Sequence, residues 1–395
     1  MSRFLLVVLP LPGHLYPMLA IGQQLVHSGH EVVWCGPESV LRPMVGSDAT
    51  IHPTGLRTFR RYDETGMAGL RALWDGYLIP FSRFILGPVD AAVTEHRPDV
   101  IVTEQYALAG ALVAHRRGVP WATLCTGTLE LTPPPELPEF ADFVAERVAK
   151  AVAMAGLAGD PIDPRFSPHL VIALTTRGLT GDAELPDRCV LTGAATGPRP
   201  NAPDFPWHAW DPDRRHVLVT VGTIVGHMIG DFYERTAAAL APMAGEVQAV
   251  FVTSGVAESP WPDNVIAAPL VPMLDLMPRL DAVVCHAGGV VNEALACGVP
   301  LVVAPVRAEQ VALAHQVAAS GAGIEIPMAE VGPDGIAAAL RAVLDEPGYR
   351  HHAKRIAAEF AAAGGAAAAA AELVALATVA QPPPTARMAG WTNPG

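Results

Sequence analysis

Short apolar runs alternate along the chain with longer stretches whose apolar residues recur every three to four positions. The first run covers residues 4–9, and the stretch over residues 15–27 places Leu15, Leu19 and Leu25 on one side of a helix. That spacing is typical of an amphipathic helix, whose period is about 3.6 residues. Strands that alternate with helices predict a parallel sheet covered by helices on both faces.

The same alternation continues through both halves of the chain. It predicts strands over residues 4–9, 32–35, 100–103, 121–124, 217–221, 249–253, 282–285 and 301–304, and helices over residues 15–27 and 107–117. Parallel strands need a right-handed crossover, so the loop at residues 12–14 is expected at the carboxyl end of a central strand. Ligands of open α/β sheets bind at that end.

A stretch rich in proline and glycine separates the two halves and predicts a stiff linker over residues 198–215. It divides an N-terminal domain, residues 1–197, from a C-terminal domain, residues 216–380, whose last helix is expected to pack back on the first. Residues 381–395 are expected to form a loose tail. The predicted fold class is α/β, with two doubly wound Rossmann-like domains that face each other across a cleft.

Composition narrows the classes of partner. The chain has 395 residues with 26 basic and 39 acidic side chains, which gives a formal net charge of −13. Such an acidic protein repels phosphate backbones, which argues against nucleic acid or an anionic membrane surface as the partner. The five cysteines lie far apart without a C-x-x-C pair, which favours reduced thiols and a cytoplasmic protein over disulfides or a zinc site.

The mean hydropathy of +0.30 raises the question of a membrane segment. No run of about 18 uninterrupted apolar residues occurs. Residues 366–380 are mostly alanine and contain Glu372, which predicts a helix too weakly apolar to insert. The first apolar run is too short for a secretion signal, so we expect a buried strand there and no membrane insertion.

The segment over residues 284–295 carries the clearest chemistry. A predicted buried strand ends at His286, Gly288 and Gly289, and a predicted helix begins at once. Free backbone N–H groups at a helix start attract anions, and glycine lets a phosphate approach the backbone closely. His286 can donate a hydrogen bond to a diphosphate leaving group. A plain strand–turn–helix with glycines that serve packing is the alternative.

Further matches follow in order along the second half: Glu293, the sequence Gly298-Val299-Pro300, and Pro305 with Glu309 and Gln310 after it. Together these motifs resemble the donor-binding signature of nucleotide-sugar-dependent glycosyltransferases of the GT-B fold. The similar members are bacterial enzymes of macrolide, enediyne and polyketide biosynthesis and plant enzymes of secondary metabolism. The resemblance implies that Glu293 binds the ribose hydroxyls and that Glu309 and Gln310 bind the sugar hydroxyls.

Two other segments of the second half are similar to donor-binding parts of the family. Gly222 and Thr223, after a predicted strand, resemble the loop under the donor phosphates, and Val271 lies in a segment that resembles the loop stacked on the nucleotide base. The chain departs from the family between His286 and Glu293, where it is one residue shorter and has valines in place of the usual hydroxyl residue.

The N-terminal half is similar to the family in its Gly13-His14-Leu15-Tyr16-Pro17 sequence. The resemblance implies that His14 is the general base, which suits imidazole because it titrates near neutrality. The carboxylate that orients this base corresponds to Glu104, at the end of a predicted strand, where relatives usually carry aspartate. Alternatively, His14 is a loop or helix-cap residue and Glu104 a solvated carboxylate at a strand end.

The acceptor pocket is expected in the first half. Trp74, Tyr77 and Phe81 repeat at helical spacing, and Tyr106 and Thr126 follow predicted strands. An aromatic stripe also suits an ordinary core, but the resemblance implies that this region binds the acceptor. A flat or greasy acceptor is then expected, because such pockets bind by apolar area.

We therefore predict an inverting, metal-independent glycosyltransferase that moves a sugar from a UDP- or dTDP-sugar to a hydroxyl of a lipophilic natural product. No cofactor and no metal ligand is predicted; Asp211-Pro212-Asp213 has the D-x-D metal pattern but lies in the stiff linker. A homodimer is left open. The alternatives are a catalytically silent auxiliary or binding protein of the same fold, a nucleotide-sugar epimerase, or a glycosyltransferase with a lipid-linked acceptor.

Overall fold

The computed structural model describes residues 1–59, 64–133, 137–200, 202–222, 231–253 and 260–380. Thr223, predicted to lie under the donor phosphates, and the predicted loose tail over residues 381–395 lie outside the described residues. Two parallel sheets dominate the remaining chain and lie on either side of the proline-rich segment.

The first sheet has seven parallel strands in the order β3-β2-β1-β4-β5-β6-β7. These strands are β1 Arg3–Val7, β2 Glu31–Gly36, β3 Thr50–Pro53, β4 Val100–Glu104, β5 Trp121–Cys125, β6 Leu170–Ala173 and β7 Cys189–Leu191. At the centre, Leu5 of β1 pairs with Val33 of β2 on one side and with Ile101 of β4 on the other. Helices cover both faces of such a sheet, which is why its central strands are almost wholly apolar.

The second sheet has six parallel strands in the order β10-β9-β8-β11-β12-β13. These strands are β8 Arg215–Thr220, β9 Val247–Val252, β10 Val265–Ala268, β11 Ala282–Cys285, β12 Leu301–Val303 and β13 Gly323–Glu325. In both sheets the chain order reverses beside the first strand of the unit, β1 or β8. This reversal opens a crevice at the carboxyl ends of the central strands.

Fourteen α-helices connect and cover the strands within the described residues. They are α1 Pro12–His27, α2 Glu38–Val45, α3 Gly66–Leu73, α4 Ile79–His96, α5 Ala109–Arg117, α6 Phe140–Met154, α7 Arg177–Thr180, α8 Phe232–Leu240, α9 Met273–Leu276, α10 Val290–Ala296, α11 Ala308–Ala319, α12 Pro333–Asp345, α13 Pro347–Ala363 and α14 Gly365–Ala380. Helix α1 starts at a proline, which needs no hydrogen-bond partner for a backbone N–H in the first turn. Glycine ends α5, where Gly118 adopts a left-handed conformation (φ 65°).

The eight strands predicted from the apolar runs are confirmed, with ends that differ by up to two residues. Five others were not predicted: β3, β6, β7, β10 and β13. Four of these are three or four residues long and lie at or next to a sheet edge, where the apolar signal is weakest. The fifth, β6, is apolar throughout but also has only four residues.

The last helix packs on the first sheet although it follows the second sheet in sequence. Ala369, Leu373 and Ala377 of α14 are fully buried in the cluster that includes Leu19 of α1 and Ile172 of β6. Small alanines let α14 lie close to α1. The C-terminal segment therefore ties the two halves of the chain together.

By length and composition alone, the helical segment Pro347–Val379 could cross a membrane, with a hydropathy of 1.7 in its most apolar window. The segment consists of α13 and α14, and Gly364 between them is left-handed (φ 84°). One third of that window is buried inside the protein (33%). The absence of membrane insertion stays a prediction.

The packing of α14 can be tested with two substitutions on one helix. Leu373→Ala removes a fully buried side chain and should lower the free energy of unfolding by about 2–5 kcal/mol. Val379→Ala, at a position 84% exposed, should change it by less than about 0.5 kcal/mol. Urea unfolding followed by circular dichroism measures both, and equal effects would show that α14 is not docked.

Candidate active site

A cavity of about 710 Å³ lies between the carboxyl ends of the two sheets. Eleven of the residues predicted for the site line it: His14, Tyr106 and Thr126 from the first half, and Gly222, Val271, His286, Gly288, Gly289, Glu293, Glu309 and Gln310 from the second. Because each follows a strand or starts a helix at the same end of its sheet, the fold gathers them although they are far apart in sequence.

The two halves of the chain meet closely at this cavity. A Cβ atom added to Gly289 would lie 3.6 Å from the Cα of Gly13, so the loop after β1 and the loop after β11 are almost in contact. The side-chain amide of Asn292 donates to the Leu174 carbonyl (3.1 Å). His14 and the His286–Gly289 loop therefore line one shared space.

His14 belongs to a tight polar group at the ends of β1, β4 and β5. Its Nδ1 atom lies 2.8 Å from Oε1 of Glu104, and the Thr126 hydroxyl donates to the same carboxylate oxygen (2.9 Å). The backbone N–H of Tyr106 donates to the other carboxylate oxygen, Oε2 (2.8 Å). With Nδ1–H directed at Glu104, Nε2 is the ring nitrogen that remains free to accept a proton.

Glu104 has one methylene more than the aspartate that relatives usually carry. Its carboxylate still contacts His14, because hydrogen bonds hold both of its oxygens in place. The Glu104 side chain is fully buried (0% exposed), whereas His14 keeps 24% of its side chain exposed towards the cavity. A buried carboxylate is stable only when it is paired and hydrogen-bonded, and both conditions are met here. The alternative interpretation, that Glu104 is a solvated carboxylate at a strand end, is excluded because its side chain is buried.

Opposing effects act on the His14 imidazole. Burial lowers its pKa, but the charge and hydrogen bond of Glu104, with a smaller contribution from the Glu309 charge, outweigh burial and leave the pKa above its usual value. Burial in turn raises the pKa of Glu309. Glu309 lies in the first turn of α11 in the second half and lines the same cavity as His14, so the two predicted motifs face each other.

His286 is held as a neutral imidazole. Burial lowers its pKa to about 4, and the nearby positive charge of Arg307 lowers it too, against an opposing hydrogen bond to the Thr220 backbone. Added Cβ atoms on Gly222 and Gly288 would lie 2.8 Å and 2.7 Å from ring atoms, so both glycines are required by close approach to the ring. Its Nδ1 atom is buried and has no hydrogen-bond partner in the described part of the chain.

The turn after His286 is strained. Ala287 adopts a left-handed conformation (φ 59°), which is uncommon and costly for a residue with a side chain. This turn brings Gly288 and Gly289 to the cavity wall, and Val290 begins the seven-residue α10. Gly222 and Gly288 face the Nε2 and Cε1 atoms of His286, and glycines at this position let an oxyanion approach the backbone closely.

Known proteins of similar sequence share this architecture. Residues 234–376 match the family described as "Erythromycin biosynthesis protein CIII-like, C-terminal domain". The chain is 30% identical to the elloramycin glycosyltransferase ElmGT of Streptomyces olivaceus, an alignment that covers 90% of this chain and 93% of the relative. The chain belongs to the natural-product glycosyltransferases. It is therefore an enzyme that uses a nucleotide sugar.

Other relatives agree with this assignment. The chain is 29% identical to 4'-demethylrebeccamycin synthase of Lentzea aerocolonigenes, over 91% of this chain and 96% of the relative. The crystal structure of the glycotransferase of kitacinnamycin has a TM-score of 0.77 at 25% identity and covers 95% of this chain and 98% of that one. CalG4, the calicheamicin glycosyltransferase, has a TM-score of 0.74 at 21% identity, with coverage of 97% and 100%. The predicted GT-B fold is confirmed.

In this glycosyltransferase Glu293 has a partner that sequence reasoning missed. Arg199, in the linker after the first sheet, forms an ion pair with the Glu293 carboxylate, and its guanidinium lies 4.0 Å from the centre of the Tyr16 ring. Burial raises the pKa of Glu293, and the Arg199 charge opposes the shift. The segment around Arg199 also lines the cavity. The linker is thus part of the site, a role that its proline content did not indicate.

The side-chain oxygen of Gln310 caps the start of α11. Its side-chain oxygen accepts hydrogen bonds from the backbone N–H groups of Val306 (2.9 Å) and Arg307 (3.1 Å). The side-chain amide is the group of Gln310 that this cap leaves for a ligand. Glu309, one residue earlier, lines the cavity with its carboxyl group close enough to His14 to influence the pKa of His14.

The acceptor prediction needs correction at three residues. Trp74, Tyr77 and Phe81 do not line the cavity but lie in the core beneath it, each at most 3% exposed. Their helical spacing is a packing pattern: Tyr77 stacks on Phe81 with ring centres 5.5 Å apart, and Trp74 meets Tyr106 edge-on at 6.2 Å. Tyr106 lines the cavity, and its contact with the acceptor stays a prediction.

Aliphatic residues, together with Phe59, form the apolar wall that the sequence did not reveal. They come from separate loops and helices around His14: Leu9, Leu11, Leu73, Leu78, Leu129 and Leu313. Scattered leucines of this kind carry no periodic signal that separates them from core residues. Thr126, predicted to contact the acceptor, lines the cavity and is also bonded to both His14 (2.7 Å) and Glu104 (2.9 Å).

Glu104→Gln tests the electrostatic role of the buried carboxylate. The amide keeps the size of the side chain but removes the charge that raises the His14 pKa, so the acid limb of the kcat/KM profile should move to lower pH. The rate above that limb should also fall, because the amide no longer stabilises the imidazolium. Glu104→Asp serves as the charged control and should leave the acid limb closer to its original position. An unchanged limb in Glu104→Gln would rule out the pairing.

Arg199 and Glu293 can be tested by a double-mutant cycle. The variants Arg199→Met, Glu293→Gln and their combination should reveal a coupling of about 0.5–3 kcal/mol in the free energy of unfolding. The matched control is the exposed pair Arg42 and Glu38, for which the coupling should lie below about 1 kcal/mol. Urea titrations of the seven proteins, with the wild type shared by both cycles, measure both couplings, and equal couplings would contradict the buried pair.

Proposed function

We propose that this glycosyltransferase is an inverting, metal-independent enzyme that moves a sugar from a UDP- or dTDP-sugar to a hydroxyl of a lipophilic natural product. The observation that carries the proposal is the position of His14, bonded to buried Glu104, in the same cavity as the His286–Gly289 loop and Glu309. A base and an oxyanion site on opposite walls are what a single displacement at one carbon requires.

In the proposed reaction the acceptor oxygen forms a bond to the anomeric carbon while the bond from that carbon to the donor phosphate breaks. The proton of the acceptor hydroxyl passes to Nε2 of His14, and the bonding electrons leave with the nucleoside diphosphate. Attack from the face opposite the diphosphate inverts the anomeric carbon. Glu104 stabilises the imidazolium that forms, which is favourable because the two groups already lie 2.8 Å apart.

The leaving diphosphate is proposed to bind at the loop after β11. His286 can donate one hydrogen bond without carrying a charge of its own, since its pKa is lowered to about 4. Gly288 and Gly289 admit a phosphate close to the backbone, and Arg307 on the cavity wall supplies positive charge. These groups support a reaction without a metal ion. Glu293 is proposed to bind the ribose hydroxyls, and Glu309 and Gln310 are proposed to bind the sugar hydroxyls.

The acceptor is proposed to occupy the apolar wall around Phe59, Leu78 and Tyr106. Apolar surface of this kind binds by area and suits a lipophilic ring system. The names of the relatives refer to elloramycin and rebeccamycin, which supports a natural product as the acceptor. Two similar structures, VinC and SsfS6, hold dTDP or thymidine diphosphate, which makes dTDP the first donor nucleotide to test beside UDP.

A catalytically silent scaffold is the second candidate, because valines follow Gly289 where the family has a hydroxyl residue. The paired His14 and Glu104 argue against it: a burial cost of this kind is not needed in a binding protein. Calorimetry with UDP and dTDP separates the two, since a silent scaffold that lost its donor site would bind neither nucleotide.

His14→Ala tests the proposed base. Product formation from a panel of UDP- and dTDP-sugars and polycyclic acceptors, followed by mass spectrometry, should fall by about 10²–10⁴-fold. Nucleotide affinity measured by calorimetry should stay within a few-fold of wild type, because His14 lies on the acceptor side. His27→Ala, at an exposed position on the same helix, is the control and should retain full turnover.

Three results would contradict the proposal. Full turnover in His14→Ala would remove the residue from the mechanism. Loss of activity after treatment with EDTA would argue against metal independence. Retention of the anomeric configuration in the product, read from the coupling constant of the anomeric proton, would contradict a single displacement.

A further inference from the structure

A second cluster of chemically active side chains lies away from the cavity, where β3 packs beside α4. His52 is the third residue of β3, and Glu95 and His96 end α4. One potential ligand atom from each of the three residues lies within 4.8 Å of the others. None of the three lines the active-site cavity, so the cluster is separate from the transfer reaction.

The distances within the cluster are longer than those of good hydrogen bonds. Nδ1 of His52 lies 3.3 Å from one Glu95 oxygen, and Nε2 of His96 lies 3.6 Å from the other. Hydrogen bonds between these atom types are about 2.7–3.2 Å long. Two ligands that each lie about 2.1 Å from a tetrahedral zinc ion are about 3.4 Å apart. Each imidazole nitrogen therefore lies at about a ligand–ligand distance from one of the two Glu95 oxygens.

Burial adds a second, independent indication. The His52 and His96 side chains are only 13% and 16% exposed, and their rings meet edge-on with centres 5.4 Å apart. Nε2 of His96 is buried and forms no hydrogen bond with any residue that the structure describes. A buried nitrogen without a partner is costly unless something else binds it.

The surroundings suit a cation that arrives from solvent. Glu95 is 63% exposed, so the open side of the cluster carries the negative group. The backbone of His96 is held by Arg3, whose guanidinium donates to the His96 carbonyl (2.6 Å).

We propose that His52, Glu95 and His96 bind one divalent transition-metal ion, with Zn²⁺ as the best match, and that water completes its coordination. Two imidazoles and one carboxylate are a known ligand set for zinc. The ion would join the edge strand β3 to the end of α4. Its role is structural, and it stabilises the edge of the first sheet without taking part in sugar transfer.

Zinc binding to the full chain, with any affinity tag removed, tests the site. Titration with zinc chloride against a chromophoric chelator should reveal one site per chain in the wild type. His52→Asn, His96→Asn and Glu95→Gln should each weaken that site by at least tenfold. His27→Asn, at an exposed histidine elsewhere on the surface, is the control and should bind as the wild type does.

Two further measurements make the test independent of folding defects and of activity. Glu95→Gln changes an exposed side chain, so its circular dichroism spectrum and glycosyl transfer should match those of the wild type. Cobalt chloride should produce visible absorption bands of a four- or five-coordinate ion in the wild type and in His27→Asn, but not in the three cluster variants.

Zinc should also raise the Tm of the wild type and leave the Tm of Glu95→Gln unchanged. The proposal would be overturned if the wild type bound no zinc, or if zinc binding, cobalt spectra and Tm shifts were the same in the cluster variants and in the control. Transfer activity that disappears with the metal would contradict the structural role, and a variant that folds, binds no zinc and remains active would support it.

Discussion

The active site depends on one interaction, the pairing of the buried Glu104 carboxylate with His14. Removing this charge from water is costly, and the cost is offset by hydrogen bonds from the Tyr106 backbone and the Thr126 hydroxyl and by the contact with His14. The same contacts set the ring orientation of His14 and raise its pKa against the effect of burial. One desolvated group thus controls the geometry and the basicity of the proposed base.

This base is useful only because the second half of the chain is held against the first. Thr128 of the first half donates to Gln316 of α11 (3.0 Å), and Arg199 in the linker pairs with Glu293 of α10. Helix α14 packs on α1 after the second sheet is complete. These contacts come from three separate parts of the chain, and together they support the closeness of Gly13 and Gly289 at the cavity.

Much of the fold and part of the site could be predicted because their signals are local. Buried parallel strands are continuous apolar runs, and motifs such as His286 to Gly289 occupy one strand–turn–helix unit. The apolar wall of the cavity could not be predicted in this way. Trp74, Tyr77 and Phe81 have the spacing of any helix that faces a core, and only their burial shows that they lie beneath the cavity, while leucines from separate loops form its surface. The carboxylate that Thr126 bonds lies 22 positions away in sequence, and the one that Arg199 pairs with lies 94 positions away. Neither contact could therefore be predicted from a local pattern.

By itself the sequence determined the α/β class, the central strands and the family, because periodicity and short motifs are properties of neighbouring residues. Only the tertiary structure decided which side chains share the cavity, that Glu104 is buried and bonded to His14, and that His52 meets Glu95 and His96. Burial and the pKa values that follow from it arise from groups distant in sequence, since desolvation and charge act through space rather than along the chain.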